Sequence, residues 1–536
     1  MMASNPPFPT PALLGMPPKF SQWREGQEEA IRSIVGCKTR FLVQSQPTGS
    51  GKSIVYVAGA ILSQSRRAVI LTSTKGLQNQ LMLDFGGLGM VDIRGQNAYV
   101  CAKDTSVRVS EGQCHMGVNC EKKTDGGCPY YDALRKARSA HLLVTNYAFW
   151  FTIGKHAKEG GLNTPDLLIM DEAHDAPSTL MDAMTVTIRE YDVKTLLEVD
   201  LPNYGQDMSR WRRWAKLTIS ESEARQESIK KGLFRKFTLT KNAQFHGIRH
   251  LQQRLRDLSQ VNDAWFADRS TDELRVGVIK PKEGYAEDLL FQETPRIVMV
   301  SATATPTVAQ LLGVPNSQMA YKCFPSTFSA SRRPVYHVPT IRLNYQIPEQ
   351  DIIRVWVSQI DRIIASRPGR KGIVHTQSYA RAKLLEANSR HKTILYFHNR
   401  LNTRSIIRDF VAAKPPAVLV SPSVTTGYDF PYDQCRYQIV GKLPIPSFGD
   451  KMLMERAKHD KKLIDYLTMQ SLVQSVGRGT RAADDFCETF IIDDSIQWWM
   501  ARNAYMAPEW FLEAYKQVAT IPPSSVMKEV SAILPF

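Results

Sequence analysis

Short unbroken runs of apolar residues recur along the chain, each followed by a turn rich in Gly, Ser or Thr and then by a stretch with helical spacing. Such runs, without polar alternation, predict strands buried on both faces, as in a parallel sheet covered by helices. Residues 41–43, 68–74, 141–147, 166–171 and 296–305 form a first block of this kind. Residues 372–377, 393–397, 417–420, 437–440 and 489–492 form a second. The rhythm breaks in two places. Residues 175–294 turn charged and helical, as in SRWRRWAKLTISESEARQESIKKGLFRKF, and predict an inserted helical domain with a basic face. Residues 325–345 read as an irregular crossing between the blocks. Residues 496–517 form an aromatic-rich amphipathic tail expected to pack on the second block, and residues 23–34 predict a helix one element before the first strand.

The turn after the first run reads QPTGSGKS, residues 46–53. Strand, Gly-rich loop and helix opening on Lys-Ser is the setting of a phosphate-binding loop. Gly49 and Gly51 let successive N–H groups curl towards an anion, with Thr48 and Ser50 in the same loop. Lys52 offers a point charge to the outer phosphates, and Ser53 a hydroxyl to Mg²⁺. The first glycine of the strict pattern is missing, because Gln stands at position 46. Residues 166–175, DLLIMDEAHD, end a second buried run in two acids. Asp171 is placed to hold Mg²⁺ through water, and Glu172 to orient or deprotonate an attacking water. Gln27, ahead of the loop, is a candidate for the base of a nucleotide. Thr72, Thr74 and Gln78 lie where a hydroxyl-rich strand end meets a helix start, a cradle for a nucleic-acid phosphate.

Four of the eight cysteines cluster at 101, 114, 120 and 128, with gaps of twelve, five and seven residues. Thiols this dense in a large chain without a secretory pattern point to metal. None of the short hooks of structural zinc sites is present, and irregular thiolate spacing suits an iron–sulfur cluster at least as well. Arg94, Lys103, Arg108, Lys122, Lys123, Arg135, Lys136 and Arg138 flank the group with positive charge.

At 536 residues and 43% hydrophobic content the chain can bury several cores. Its formal charge of +16 favours a polyanionic partner, and beside a nucleotide loop that means nucleic acid. No apolar run is long enough to span a bilayer, so no membrane partner is expected. The reading is of a reduced, cytoplasmic protein, nucleoid-associated if bacterial or phage, acting as a monomer.

In linear order the chain carries PTGSGKS, TSTKGLQNQ, RGQNAYVC with the later GGCPYYDAL, LVTNY, DEAH, SATATP, TTGYDF and QSVGRGTR. This set resembles superfamily-two helicases, and within them the iron–sulfur branch that includes XPD and bacterial DinG. The resemblance implies two RecA-like parallel-sheet motor domains in an α/β fold, with an inserted iron–sulfur module and a helical arch-like insertion. It divides the chain into a flexible proline-rich arm (1–18), the first motor domain (19–93, 139–175 and 291–330), the cluster module (94–138), the arch-like insertion (176–290) and the second motor domain (331–536). The implied cofactors are ATP, Mg²⁺ and a 4Fe–4S cluster on Cys101, Cys114, Cys120 and Cys128. Gln474, Arg478 and Arg481 would face the nucleotide from the second domain, the arginines as fingers on the γ-phosphate. Gly427 and Asp429 would join the nucleotide site, while Thr426, Ser301 and Thr303 would link hydrolysis to the strand track. The implied activity is ATP-dependent tracking along single-stranded or forked DNA, 5′ to 3′, with duplex or R-loop unwinding. A translocase that remodels protein–DNA complexes without processive unwinding, and an inactive nucleic-acid-binding scaffold, are the alternatives. The insertion is short for the family and offers a surface for a protein partner. No added nuclease motif is present.

Overall fold

A computed structural model describes residues 7–156, 161–279, 284–344, 346–399, 401–422, 428, 430–480 and 484–524. Thr426, Gly427, Asp429 and Arg481 lie outside the described residues.

The first sheet contains β1 (Phe41–Ser45), β2 (Ala68–Thr72), β3 (Val91–Asp92), β4 (Leu142–Asn146) and β5 (Leu167–Asp171). The insertion carries β6 (Thr185–Arg189), β7 (Trp265–Arg269) and β8 (Glu273–Val278). The chain then returns to the first sheet with β9 (Arg296–Ser301) and β10 (Met319–Cys323). All seven strands are parallel, in the order β10-β1-β9-β5-β2-β4-β3. β1, β2 and β5 are buried at every position, which is why their sequences show no alternation.

The order matters for chemistry. β9 lies between β1 and β5, with Ser45 opposite Ser301 and Asp171 opposite Val300. Three loops far apart in sequence therefore leave the sheet side by side at its carboxyl edge, where open α/β sheets bind ligands.

The second sheet holds β11 (Val335–Ile341), β12 (Lys371–His375), β13 (Leu395–Phe397), β14 (Ala417–Ser421), β15 (Tyr437–Val440), β16 (Glu488–Asp493) and β17 (Tyr515–Gln517). It is parallel throughout, in the order β13-β14-β12-β15-β16-β11-β17. The segment expected to cross irregularly contains β11, a strand inside this sheet. Its HVPT sequence and a shift of register between His337 and Ile341 hide it from a pattern reading. The aromatic tail does pack on the second sheet, and it adds β17 to the edge. Beneath that sheet the Arg367 guanidinium meets Glu488 at 2.5 and 3.0 Å, both side chains only 1% exposed.

The insertion is built on two long helices, Met208–Arg235 and Leu239–Ser259, capped by the Asp207 and Thr238 side chains. It also contains the three-stranded antiparallel sheet β6-β8-β7, which the charged helical pattern does not announce. Ile188, Trp211, Leu251, Leu255, Leu274 and Val276 form its own core. Arg456 of the second domain is buried against its base, donating to the carbonyls of Val278 (3.1 Å) and Met181 (3.2 Å) and to the Thr185 hydroxyl (2.9 Å). The described part of the N-terminal arm is docked, with Phe8 on Trp23 and the Trp23 indole donating to the Pro9 carbonyl. No helix among the described residues is long and apolar enough to cross a membrane.

Candidate active site

After β1 the chain turns through residues 46–51 and enters the helix Lys52–Leu62 at once. Gly49 and Gly51 take φ of 79° and 78°, the left-handed region that favours glycine. A Cβ on Gly51 would also come within 2.5 Å of Gln27 Nε2. The loop thus presents the open N–H end of a helix, with Lys52 and Ser53 in its first turn. Lys52 Nζ stands 3.9 Å from Glu172 Oε1. Gln27 is buried; its Oε1 accepts from Arg24 N (2.9 Å) and its Nε2 donates to the Ser50 carbonyl (2.8 Å). Arg24 donates to the Gly49 carbonyl (3.0 Å).

Asp171 ends β5 and is buried. Its carboxylate accepts from Glu172 N (3.0 Å) and from the Tyr56 hydroxyl (3.3 Å), which Ser53 also contacts. Ser53 and Asp171 therefore converge on one point, a geometry that fits a shared Mg²⁺. Burial, and then the Glu172 charge, push Asp171 up to about 7. Burial pushes Glu172 the same way, but the Lys52 ammonium and the His174 side chain outweigh it and hold Glu172 at about 2. His174 contacts Glu172 (3.2 Å), Asp175 (3.1 Å) and the Ser301 hydroxyl (2.7 Å). Burial disfavours its imidazolium, yet the bonds to Asp175 and Glu172 lift it to about 10. Adjacent acids thus differ in charge by environment alone, the pattern of a site that assigns them different tasks.

The second domain meets this centre along one helix face. From the helix Lys462–Val476, the Tyr466 hydroxyl donates to the His174 carbonyl (2.9 Å) and Gln470 to the Thr303 carbonyl (3.2 Å), and the Gln474 amide contacts His174 Nε2. Trp510 adds a bond to the Ala302 carbonyl (2.9 Å). Arg478 is buried and donates to the Tyr428 carbonyl (2.9 Å).

Residues 24–195 match the DEAD/DEAH box helicase family, and residues 360–512 match the helicase C-terminal domain. The chain carries both domains of a helicase. No curated protein matches it. Among solved structures it is similar to one described as an XPD helicase, at 13% identity and a TM-score of 0.63, covering 92% of this chain and 98% of that one. It is also similar to S. tokodaii Xpd4, at 14% identity and a TM-score of 0.57, covering 92% and 100%. At these identities the likeness is one of fold.

Within the helicase fold, the residues read as strand contacts separate. Thr74 is exposed at the N-terminus of the helix Lys75–Phe85, where it accepts from Leu77 N (3.2 Å). Thr72 and Gln78 are buried behind it, Gln78 donating to the Ile93 carbonyl (3.0 Å). Ser301 and Thr303 are buried and bonded to each other (3.2 Å) at the end of β9. Sequence reading did not single out Tyr56, Tyr147, His174, Tyr466 or Gln470. For Tyr466 and Gln470 a signal existed: with Gln474 they repeat every fourth residue, one stripe of a helix.

Cys101, Cys114, Cys120 and Cys128 come together in one lobe of the helicase. Burial raises the Cys114 thiol, and Cys120, Cys101 and Cys128 add to the effect against the pull of Lys123. A Cβ on Gly112 would lie 3.5 Å from both the Cys101 and Cys114 sulfurs, so these two face the same space. Among the described residues no three His, Cys, Asp or Glu side chains are grouped to hold a metal ion. A single tetrahedral zinc would need all four sulfurs within about 2.3 Å of one point. The lobe is closed off by the insertion: Asn242 donates to the Glu111 carbonyl (3.1 Å), Arg249 to the Ser110 carbonyl (2.8 Å), and Met116 packs with Leu233 and Phe245.

Proposed function

We propose that the protein is an ATP-driven helicase that tracks single-stranded DNA 5′ to 3′ and couples hydrolysis to opening of duplexes or R-loops. The observation that carries this reading is the adjacency of β1, β9 and β5, which brings Lys52, Ser301 and the Asp171–Glu172 pair to one edge under a helix of the second domain. Thr48, Gly49, Ser50 and Gly51 cradle the phosphates, and Lys52 balances their charge. Ser53 and Asp171 would hold Mg²⁺, which supplies charge neutralisation at the β- and γ-phosphates. Glu172, held ionised, takes the proton of the attacking water. Arg478 and Arg481, with Gln474, Gly427 and Asp429, complete the site from the second domain, so that turnover requires cleft closure. The strand lies over exposed Thr74 and runs on towards Thr426. Thr72, Gln78, Ser301 and Thr303 position the surface from behind. The DNA substrate and the polarity rest on the resemblance of the motif set to the iron–sulfur helicases.

Cys101, Cys114, Cys120 and Cys128 would hold a 4Fe–4S cluster. Four thiols sharing a lobe, too spread for one ion, suit a group with several irons between them. The cluster would supply folding free energy to a lobe with little core of its own. The insertion plays the part of an arch, and its outer face offers a site for a protein partner.

The test is ATP turnover with and without single-stranded DNA, followed by unwinding of 5′-tailed against 3′-tailed duplexes. DNA-stimulated turnover with unwinding only from the 5′ tail is expected. Turnover without unwinding of either substrate would turn the reading to a remodelling translocase, and unwinding from the 3′ tail would reverse the polarity.

A further inference from the structure

Beside the phosphate loop lies a cavity of about 120 Å³, lined by Gln27, Gln46, Ser50, Val55 and Phe324 among others. It is bounded by the helix Gln27–Gly36 on one side and by the chain leaving β10 on the other. A nucleotide whose phosphates sit at residues 48–53 has this cavity beside it for its base. Gln27, the side chain expected to read a base, already uses both ends of its amide, on Arg24 N and on the Ser50 carbonyl.

Gln46 is placed differently. It occupies the position where a strict phosphate-loop pattern has its first glycine, and it is only 2% exposed. Its backbone N–H donates to the Ser301 carbonyl (3.0 Å). Its Nε2 donates to Gln44 Oε1 (2.7 Å), and Gln44 Nε2 donates in turn to the Ala30 carbonyl (2.9 Å) and the Ser33 hydroxyl (2.6 Å). This chain of buried amides fixes the rotation of the Gln46 side chain. With the nitrogen spent, the acceptor Oε1 is the end left over, and no hydrogen bond among the described residues uses it.

We propose that Gln46 is a specificity-determining residue of this motor: its Oε1 accepts from the exocyclic amine of adenine and so selects ATP over GTP. Guanine presents a carbonyl at the same ring position, and two acceptors facing each other in a buried cavity leave both unpaired. The Gln44–Ser33 tether holds Gln46 against rotating its donor towards guanine. The inference rests on the ATPase reading above and goes beyond it in naming the residue that reads the base.

The test compares ATP, GTP and purine riboside triphosphate, which lacks the 6-amino group, as substrates of the full chain. The wild type is expected to favour ATP over each of the other two by about tenfold or more in kcat/KM, the scale of one buried neutral hydrogen bond. Gln46→Met, of similar length without an acceptor, and Gln46→Ala should erase that preference by raising KM for ATP alone. Gln27→Ala should leave the ratio standing. Thermal melting of each variant reports whether the fold is intact. If the Gln46 variants lose all three substrates equally, the residue merely holds the loop and the proposal falls. If Gln27→Ala abolishes the preference while the Gln46 variants keep it, Gln27 reads the base and the proposal falls. A wild type that turns over ATP without preferring it also overturns the proposal, whereas one that turns over no nucleotide overturns the ATPase reading beneath it.

Discussion

Replacing Glu172 by Gln should trap nucleotide, and the size of the effect follows from the empty site. Without a ligand, Lys52 sits 3.9 Å from Glu172, and their side chains are 14% and 26% exposed. Two unit charges at about 4 Å attract by about 4 kcal/mol at an effective dielectric of 20. Exposed pairs return at most about 1 kcal/mol once desolvation and entropy are counted. This half-covered pair falls between those limits, at about 1.5 kcal/mol. To bind phosphate, Lys52 must leave Glu172, and the incoming phosphates must approach a carboxylate held ionised. Glu172→Gln removes both penalties while keeping the bond to Ser301. ATP should therefore bind about tenfold tighter. Turnover should fall by about 10² to 10⁴, the usual contribution of a general base. Titration of a fluorescent ATP analogue and a phosphate-release assay, on one preparation, measure the two numbers. Unchanged affinity would refute the competition between Glu172 and phosphate for Lys52. Turnover within tenfold of wild type would refute Glu172 as the base.

Other outcomes follow from the packing. Arg456→Ala strips three donors from the base of the insertion and should cost about 3 kcal/mol there. Hydrogen exchange should then rise at residues 181–189 and 274–278; unchanged protection would mean the insertion does not depend on the second domain. Arg367→Met leaves Glu488 buried without its charge partner and should cost about 3 to 5 kcal/mol, most of it regained in the double variant Arg367→Met, Glu488→Leu. Chemical denaturation that finds the double variant no better than the single one would contradict the pairing. Cys114→Ser should bleach an anaerobically purified, brown protein and open residues 101–128 to protease. Zinc without acid-labile sulfide in the wild type would refute the cluster.

Much of the fold was open to inspection in the sequence because the two sheets are buried on both faces. β1, β5, β9 and β14 each read as continuous apolar runs for that reason. The strands that escaped are those whose surroundings are mixed. β10, at a sheet edge, is mostly half-buried, and β11 carries Pro339 and a register shift. The insertion's small sheet was hidden by the charge of its neighbours, since β6 alternates over only five residues. Motifs announced the phosphate loop and the acidic strand, because the chemistry demands those residue types at that spacing. They did not announce what supports them. Nothing local marks Tyr56 as the hydroxyl between Ser53 and Asp171, because that contact joins residues 115 apart. Motif reading also gave the strand contacts without their depth, so buried Gln78 and exposed Thr74 looked alike.

The stripe of Tyr466, Gln470 and Gln474 gives the acidic motif a role beyond hydrolysis. Glu172 bonds His174, and His174 bonds Gln474. The water-activating carboxylate is thus joined to the second domain through one imidazole. That imidazole keeps its proton because Asp175 and Glu172 outweigh the cost of burial. When phosphate draws Lys52 away, Glu172 loses its nearest cation and leans more heavily on His174. The change reaches Gln474 through a single side chain, without any backbone moving first. Arg478, on the turn just after the same helix, is held at the Tyr428 carbonyl in the empty state. Any shift of the helix moves the stripe and Arg478 together, because four residues separate Gln474 from Arg478. Arrival of nucleotide and delivery of an arginine to it are therefore mechanically one event. A motor that must not hydrolyse with its cleft open needs that coupling.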